Sequence, residues 1–245
     1  MTRRVRASVA TITGVAAVAL AGCASLPVAP PPLPDTFVPE IEASPLPASV
    51  PVGPDGFTVA ERFALRVSTE DCEGYGTGSA WVLDEDTAVT NRHVIEGASD
   101  IILTSYDGQR YTAVSSTLDA TADLALIEID GTFPEFATVA SAPATSVEDL
   151  FVAGYPEGGA LTTVDARLRA TEPDTLGEDQ DPVYWLSART LPGNSGSAVT
   201  NVHGDVVGVI YASDEVGSSW AISLESLQEF LASPETHEPN EACTR

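Results

Sequence analysis

The 245-residue chain is predicted to fold as an all-β sandwich or barrel closed by one short C-terminal helix, and three observations predict it. Between residues 57 and 222 the apolar and β-branched residues come in short runs separated by turn formers, the pattern of successive antiparallel strands. Long helical periodicity is missing until Leu224, Leu227, Phe230 and Leu231, whose spacings of three and four place them on one face of a helix. Asp107-Gly108 and His203-Gly204 fall between strand runs and read as hairpin turns.

In order, strands are expected at 63–68, 79–83, 87–90, 101–104, 111–116, 124–129, 151–154, 183–188, 197–200 and 206–211, with one short helical turn at 94–97. The residues before the first strand do not read as fold. Arg3, Arg4 and Arg6 form a positive region, residues 9–21 are an uncharged and largely apolar run, and Leu20-Ala21-Gly22-Cys23 follows, which together read as a signal peptide over 1–22. The apolar run is shorter than the roughly 20 residues a membrane-spanning helix needs. Cysteine after small residues resembles a bacterial lipobox, which implies Cys23 as a lipidated N-terminus. Thr2-Arg3-Arg4 also resembles a twin-arginine signal, but flanking apolar positions are unmatched and general secretion is the default. From 27 to 54, ten of 28 residues are Pro, so neither helix nor sheet is sustained and a Pro-rich tether over 23–56 is expected. In polyproline geometry residues 27–54 reach up to about 80 Å; a linker with no mechanical role fits equally.

With Cys23 assigned to lipid, Cys72 and Cys243 are the remaining thiols of an exported chain, where they are expected to pair; two free thiols are the alternative. Residues 234–245 read as an acidic tail, in which His237 is expected to be solvated.

Charge narrows the function. The 11 basic residues are all Arg and face 36 Asp plus Glu, a formal charge of 11 minus 36, or −25. Such a chain has no electrostatic route to nucleic acid or to polybasic membrane contact, so membrane association is expected through the N-terminal lipid only. Lack of Lys removes Schiff-base chemistry, a Ser-Lys dyad and the P-loop lysine. Three His and three Cys without paired ligand motifs give no expected metal site or cofactor. The carboxylates Glu172, Asp174, Glu178, Asp179 and Asp181 read as a solvated acidic loop rather than a calcium site, since Gly177 matches a calcium turn only in part.

Chemistry must then come from a nucleophile with a base. Leu191-Pro192-Gly193-Asn194-Ser195-Gly196-Ser197 flanks Ser195 with glycines that leave its hydroxyl uncrowded, making it the candidate nucleophile. His203 lies in a turn and His237 in the tail, which leaves His93, after the 87–90 strand, as candidate base. Asp123 heads an apolar strand able to desolvate a carboxylate and is the candidate partner of His93, with Asp119 as the rival better explained as a solvated turn residue.

Five blocks in order, Gly76-Thr77-Gly78-Ser79-Ala80-Trp81-Val82-Leu83, Val89-Thr90-Asn91-Arg92-His93-Val94-Ile95-Glu96-Gly97-Ala98, Thr121-Ala122-Asp123-Leu124-Ala125-Leu126, Pro192-Gly193-Asn194-Ser195-Gly196-Ser197 and Gly208-Val209-Ile210, make the chain similar to trypsin-like serine proteases, especially the bacterial HtrA type. The similarity runs from about 60 to 232, within a protease domain placed at 57–233. It implies a double antiparallel β-barrel of the trypsin/chymotrypsin type with a short C-terminal helix, a cleft between barrels, His93 as general base, Asp123 as its orienting partner, Ser195 as nucleophile, and the backbone N–H groups of Gly193 and Ser195 as oxyanion hole. It also implies protein or peptide substrates and an envelope location. Gly196-Ser197 departs from the commoner Gly-Gly, and no PDZ domain or activation by an inserted N-terminus is expected.

The same resemblance places the substrate-pocket walls at Arg189, Thr190, Tyr211, Ala212 and Ser213. An inward Arg189 would favour Asp or Glu before the scissile bond. An outward Arg189 leaves Thr190 and Tyr211 lining a small pocket for Val, Ala or Ile, which desolvation favours. The functional expectation is a lipid-tethered endopeptidase acting through Ser195; the alternative is a catalytically silent domain that binds peptides or envelope material in the same cleft. A purely structural lipoprotein leaves the five blocks unexplained.

Overall fold

The computed structural model describes residues 50–175 and 181–244, so the expected signal peptide, Cys23, most of the tether, Glu178 and Asp179 lie outside the described residues. The first six strands are β1 (Ala64–Glu70), β2 (Tyr75–Val82), β3 (Thr87–Thr90), β4 (Asp100–Ser105), β5 (Arg110–Asp119) and β6 (Ala125–Ile129). They pair antiparallel in the order β5-β4-β1-β2-β3-β6, and β5 pairs with β6 to close a barrel. Strand β5 serves two neighbours because a register shift between Ala113 and Ser115 turns it from β4 towards β6.

A second set, β7 (Leu150–Gly154), β8 (Thr162–Pro173), β9 (Pro182–Ser187), β10 (Ala198–Thr200), β11 (Val206–Ser213) and β12 (Ser218–Ser223), closes a second six-stranded barrel in the order β10-β11-β12-β9-β8-β7. The architecture is the double antiparallel barrel that the motif resemblance implied.

Period-two burial explains the strands. On β1, Leu65, Val67 and Thr69 are buried while Arg66, Ser68 and Glu70 face outward or half outward. Trp81, Leu103, Leu124 and Ile127 fill the first barrel, and Leu150, Val152, Leu186 and Val199 the second, all at 0% exposure. Each such side chain stabilises by about 1.5–3 kcal/mol.

Strand β8 is not among the expected runs. Only Ala166 and Leu168 on it are buried, and Asp165, Arg167 and Arg169 alternate with them, so the hydrophobic signal is weak although the strand pairs with β7 throughout Leu150–Gly154 and with β9 across a register shift between Leu168 and Ala170. Strand β12 was likewise missing, beyond the short Trp220-Ala221-Ile222 stretch at its centre.

The expected closing helix is α3 below. Two short helices precede it: α1 (Val59–Phe63), held by a capping box between Thr58 and Glu61, and α2 (Arg92–Ile95), which starts two residues before the expected turn. Helix α3 (Leu224–Ala232) is capped by the Ser223 hydroxyl, which accepts from the Ser226 N–H at 3.2 Å, and buries Leu224, Leu227 and Phe230.

The C-terminal segment is docked. Strand β13 (His237–Pro239) pairs with β5, and Cys72 and Cys243 form a disulfide with their Cα atoms 5.9 Å apart. His237 corrects the expectation of a solvated side chain: its ring stacks on Phe230 at a centroid distance of 4.4 Å, with Nε2 3.1 Å from the Phe230 carbonyl oxygen. An aromatic face offers that ring more than water does, once β13 has fixed the backbone beside it. His203 is exposed in its turn, as expected.

Candidate active site

Strand β3 delivers the candidate base, His93. Its last residue, Thr90, is buried and donates from Oγ1 to the Ser79 carbonyl at 2.7 Å, which anchors the strand end before the chain turns into α2. Asn91, the N-cap, uses its side-chain Nδ2 to donate to the Asp123 carbonyl at 2.8 Å. The Asp123 carboxylate grips His93 twice: Oδ1 accepts from the His93 backbone N–H at 2.9 Å, and Oδ2 lies 2.6 Å from Nδ1. Two contacts on one carboxylate fix both the position and the ring orientation of His93, and direct its Nε2 away from Asp123. The His93 and Asp123 side chains are 48% and 30% exposed, so the pair lies at the surface rather than in the core.

Asp119 differs from the solvated residue expected of it. It is buried, with Oδ1 accepting from the N–H groups of Thr121 and Ala122 and from the Thr121 hydroxyl, and Oδ2 from the Thr236 hydroxyl. Burial pushes its carboxyl upward, but these donors outweigh it and hold the group below its ordinary value. Its own carbonyl accepts from Arg92 Nη1 at 2.6 Å, and Arg92 also pairs with Glu96. Asp119 therefore builds the turn that presents Asp123 and braces the helix that carries His93.

The Ser195 loop enters from the second barrel and is tied to the first. Ser195 accepts at its carbonyl from the Ser79 N–H at 2.8 Å, and the Gly196 N–H donates to the Ile210 carbonyl at 2.8 Å. At Gly196, φ is +85° and a Cβ would stand 2.0 Å from the Ser79 carbonyl oxygen and 2.5 Å from Thr90 Oγ1, so only glycine allows this approach. The Ser195 main chain is thereby tied to Ser79 on β2, whose carbonyl is bonded by Thr90 three residues before His93, contacts that residue spacing along the chain does not reveal.

Beside Ser195 opens a pocket of about 230 Å³ whose lining includes Thr190, Ile210, Tyr211, Ala212 and Ser213. Its hydroxyls are internally bonded: Thr190 Oγ1 lies 2.8 Å from Ser219 Oγ, Ser219 donates to the Ala188 carbonyl, and Ser213 donates to the Thr190 carbonyl. Tyr211 donates from its hydroxyl to Asp174 at 2.8 Å; burial, followed by that carboxylate, pushes its ionisation far above the ordinary range, so it stays a neutral phenol. Arg189 is not part of the lining. Its Nε donates to the Glu215 carbonyl at 3.0 Å on the exposed side, which keeps the cation solvated.

Sequence reasoning missed Glu215, whose exposed side chain lines the pocket's open side, and did not single out Asn91 or Ser79. Both belonged to the quoted motif blocks, and only their folded partners mark them. Among the described residues no group of three or more His, Cys, Asp or Glu is placed to hold a metal ion. Glu172, from the expected acidic loop, accepts from Trp220 Nε1 at 3.1 Å.

Comparison with known proteins matches this fold. The family model described as trypsin-like peptidase domain matches residues 78–209. Serine protease Rv3671c of Mycobacterium tuberculosis strain H37Rv is 30% identical over 178 residues, 69% of this chain and 44% of that protein. A probable periplasmic serine endoprotease, DegP-like, of Chlamydia trachomatis is 35% identical over 135 residues, 54% of this chain and 27% of that protein. The chain thus spans less than half the length of these curated relatives. Among solved structures, the active form of Rv3671c protease from M. tuberculosis aligns with a TM-score of 0.66 at 25% identity, over 76% of this chain and 87% of that one. The HtrA-type protease AlgW with tripeptide aligns with a TM-score of 0.64 at 25% identity, over 71% and 60%.

Proposed function

The chain belongs to the trypsin-like peptidase domain family, and on that premise we propose that it is a serine endopeptidase of HtrA type. The observation that carries the reading is the double grip of the Asp123 carboxylate on His93, in a cleft where the Ser195 loop is tied to the same strands. With Nδ1–H donated to Asp123, the free Nε2 of His93 is the base that takes the Ser195 proton as Oγ attacks the scissile carbonyl. Asp123 stabilises the imidazolium that forms. The oxyanion is received by the N–H groups of Gly193 and Ser195. His93 then returns its proton to the leaving amine, and a water activated by the same ring hydrolyses the acyl-enzyme.

With Arg189 outward and the pocket hydroxyls already bonded, the residue accepted before the cut is small and apolar, Val, Ala or Ile; neither Asp nor Glu meets a counter-charge there. In the same reading residues 1–22 are a signal peptide, 23–56 a lipidated tether anchored at Cys23, 57–233 the protease domain and 234–245 an acidic tail, with the domain working on protein or peptide substrates in the cell envelope. The Chlamydia relative, named periplasmic, supports that location.

The test is labelling with a fluorophosphonate alongside hydrolysis of a peptide library, with Ser195→Ala as control. Labelling and cleavage confined to the wild type are expected. A wild type that is neither labelled nor active sinks the enzyme reading and leaves a peptide-binding domain. Radiolabelled fatty acid incorporated by the wild type and equally by Cys23→Ser would refute the anchor.

A further inference from the structure

The two peptide groups on either side of Gly193 are held from outside the nucleophile loop. The Pro192 carbonyl accepts from the Glu157 N–H at 2.6 Å, and the Gly193 carbonyl accepts from the Ser79 hydroxyl at 2.7 Å. In a trans peptide the N–H points opposite to the C=O. Fixing the Pro192 carbonyl on Glu157 therefore turns the Gly193 N–H away from the 155–158 turn, towards the side where the pocket beside Ser195 opens without any residue of that turn. The Asn194 carbonyl accepts from the Ser197 N–H at 2.9 Å, which by the same geometry orients the Ser195 N–H. Among the described residues neither N–H donates to a protein acceptor.

Ser79 is the hub of this arrangement. It is fully buried on β2, and four bonds meet on it: Oγ donates to the Gly193 carbonyl, Oγ accepts from the Tyr155 N–H at 2.9 Å, its own N–H donates to the Ser195 carbonyl, and its carbonyl accepts from Thr90 Oγ1. A flip of the Pro192–Gly193 peptide rotates ψ of Pro192 against φ of Gly193. That counter-rotation breaks the Glu157 bond and leaves the Gly193 carbonyl where it is, so Ser79 opposes it through the turn: its hydroxyl bridges the Tyr155 N–H, on the turn that carries the Glu157 N–H, to the Gly193 carbonyl. The fit is tight, since a Cβ on Gly193, where φ is +92°, would stand 2.6 Å from the Glu157 nitrogen and 2.7 Å from the Tyr155 oxygen.

We propose that Ser79 is a positioning residue that, by clamping the 155–157 turn to the Gly193 carbonyl, holds the Gly193 N–H in the oxyanion-binding orientation beside the Ser195 N–H, so that the hole is preformed in the resting chain. This rests on the peptidase reading. A lock of this kind acts only on the charge that develops at the carbonyl oxygen, so its loss lowers kcat and spares KM.

The experiment compares wild type, Ser79→Ala, Ser79→Cys and Val67→Ala, the last removing buried volume from β1 without removing any side-chain hydrogen bond. Each is assayed for folding by thermal unfolding, for kcat and KM on one peptide substrate, and for inhibition by a peptidyl trifluoromethyl ketone, whose adduct places an oxyanion in the hole. Losing the donor to Gly193 is expected to lower kcat by about 10- to 100-fold, below the 10²–10³ of deleting a hole donor outright, with KM within about twofold. Ketone affinity falls in parallel, Ser79→Cys, a weaker donor of similar shape, recovers part of the loss, and Val67→Ala keeps its kcat. An unchanged kcat in Ser79→Ala, a loss confined to KM, or an equal kcat loss in Val67→Ala would overturn the lock. An inactive wild type would instead sink the peptidase reading beneath it.

Discussion

Asp119→Ala separates two roles that a pair of aspartates four residues apart would otherwise blur. The substitution deletes a buried carboxylate that accepts from the Thr121 and Ala122 N–H groups and from two hydroxyls. Hydrogen bonds to a charged group contribute roughly 1.5–3 kcal/mol each, and the donors stranded by truncation cost more than the bonds returned to water. These effects overlap within one turn, so a loss of about 2–4 kcal/mol of unfolding free energy is the reasonable total. Activity should fall less than about tenfold, because the Asp119 main chain still accepts from Arg92 and Asp123 still grips His93. Asp123→Ala should do the reverse, lowering kcat by about 10⁴ with little change in stability. Urea denaturation and steady-state hydrolysis on the two variants provide both axes. Asp119→Ala losing as much activity as Asp123→Ala at unchanged stability would refute the division of labour.

Removing the Cys72–Cys243 disulfide by paired Ser substitutions opens a loop with a sequence separation of 171, for which chain entropy gives a loss of up to about 5 kcal/mol, read by urea unfolding; no measurable change would refute the loop-closure account. Arg189→Ala should leave the peptide-library cleavage profile unchanged, because Arg189 is exposed, is not among the pocket-lining residues and bonds to the Glu215 carbonyl; a profile dominated by acidic residues in the wild type and lost in the variant would show that it turns inward. Acid should destabilise the fold. Backbone donors from Ser218 and Val216 hold Asp214 down at about 2, and Asp119 is also lowered, so both favour the folded state above the unfolded carboxyl value of about 3.9, and that stability is lost as pH falls from there through about 2. Asp214→Asn should flatten the fall of thermal midpoint with pH in that window, and an unaltered slope would count against it.

Much of the fold was legible because antiparallel strands write their burial into alternation, as on β1, where Leu65 and Val67 point inward between Arg66 and Ser68. Strand β8 was not legible because the second barrel needs only Ala166 and Leu168 from it, and two inward residues among charges carry no period. The loop blocks also supplied the candidate side chains of the proposed site, since a serine between glycines and a histidine after a strand are local patterns.

By itself the sequence determined the acidic surface, the all-β class, the single amphipathic closing helix and the identity of His93, Asp123 and Ser195 as candidates, because composition, periodicity and residue type are properties of the chain read in order. Tertiary structure alone decided that Asp119 is a buried brace rather than a solvated rival, that Arg189 turns outward to Glu215, that His237 packs on Phe230, and that Ser79 clamps Gly193. These depend on which backbone groups meet across 7 to 114 positions of sequence, and such meetings are fixed by barrel closure and the desolvation of polar groups, neither of which leaves a trace in local order.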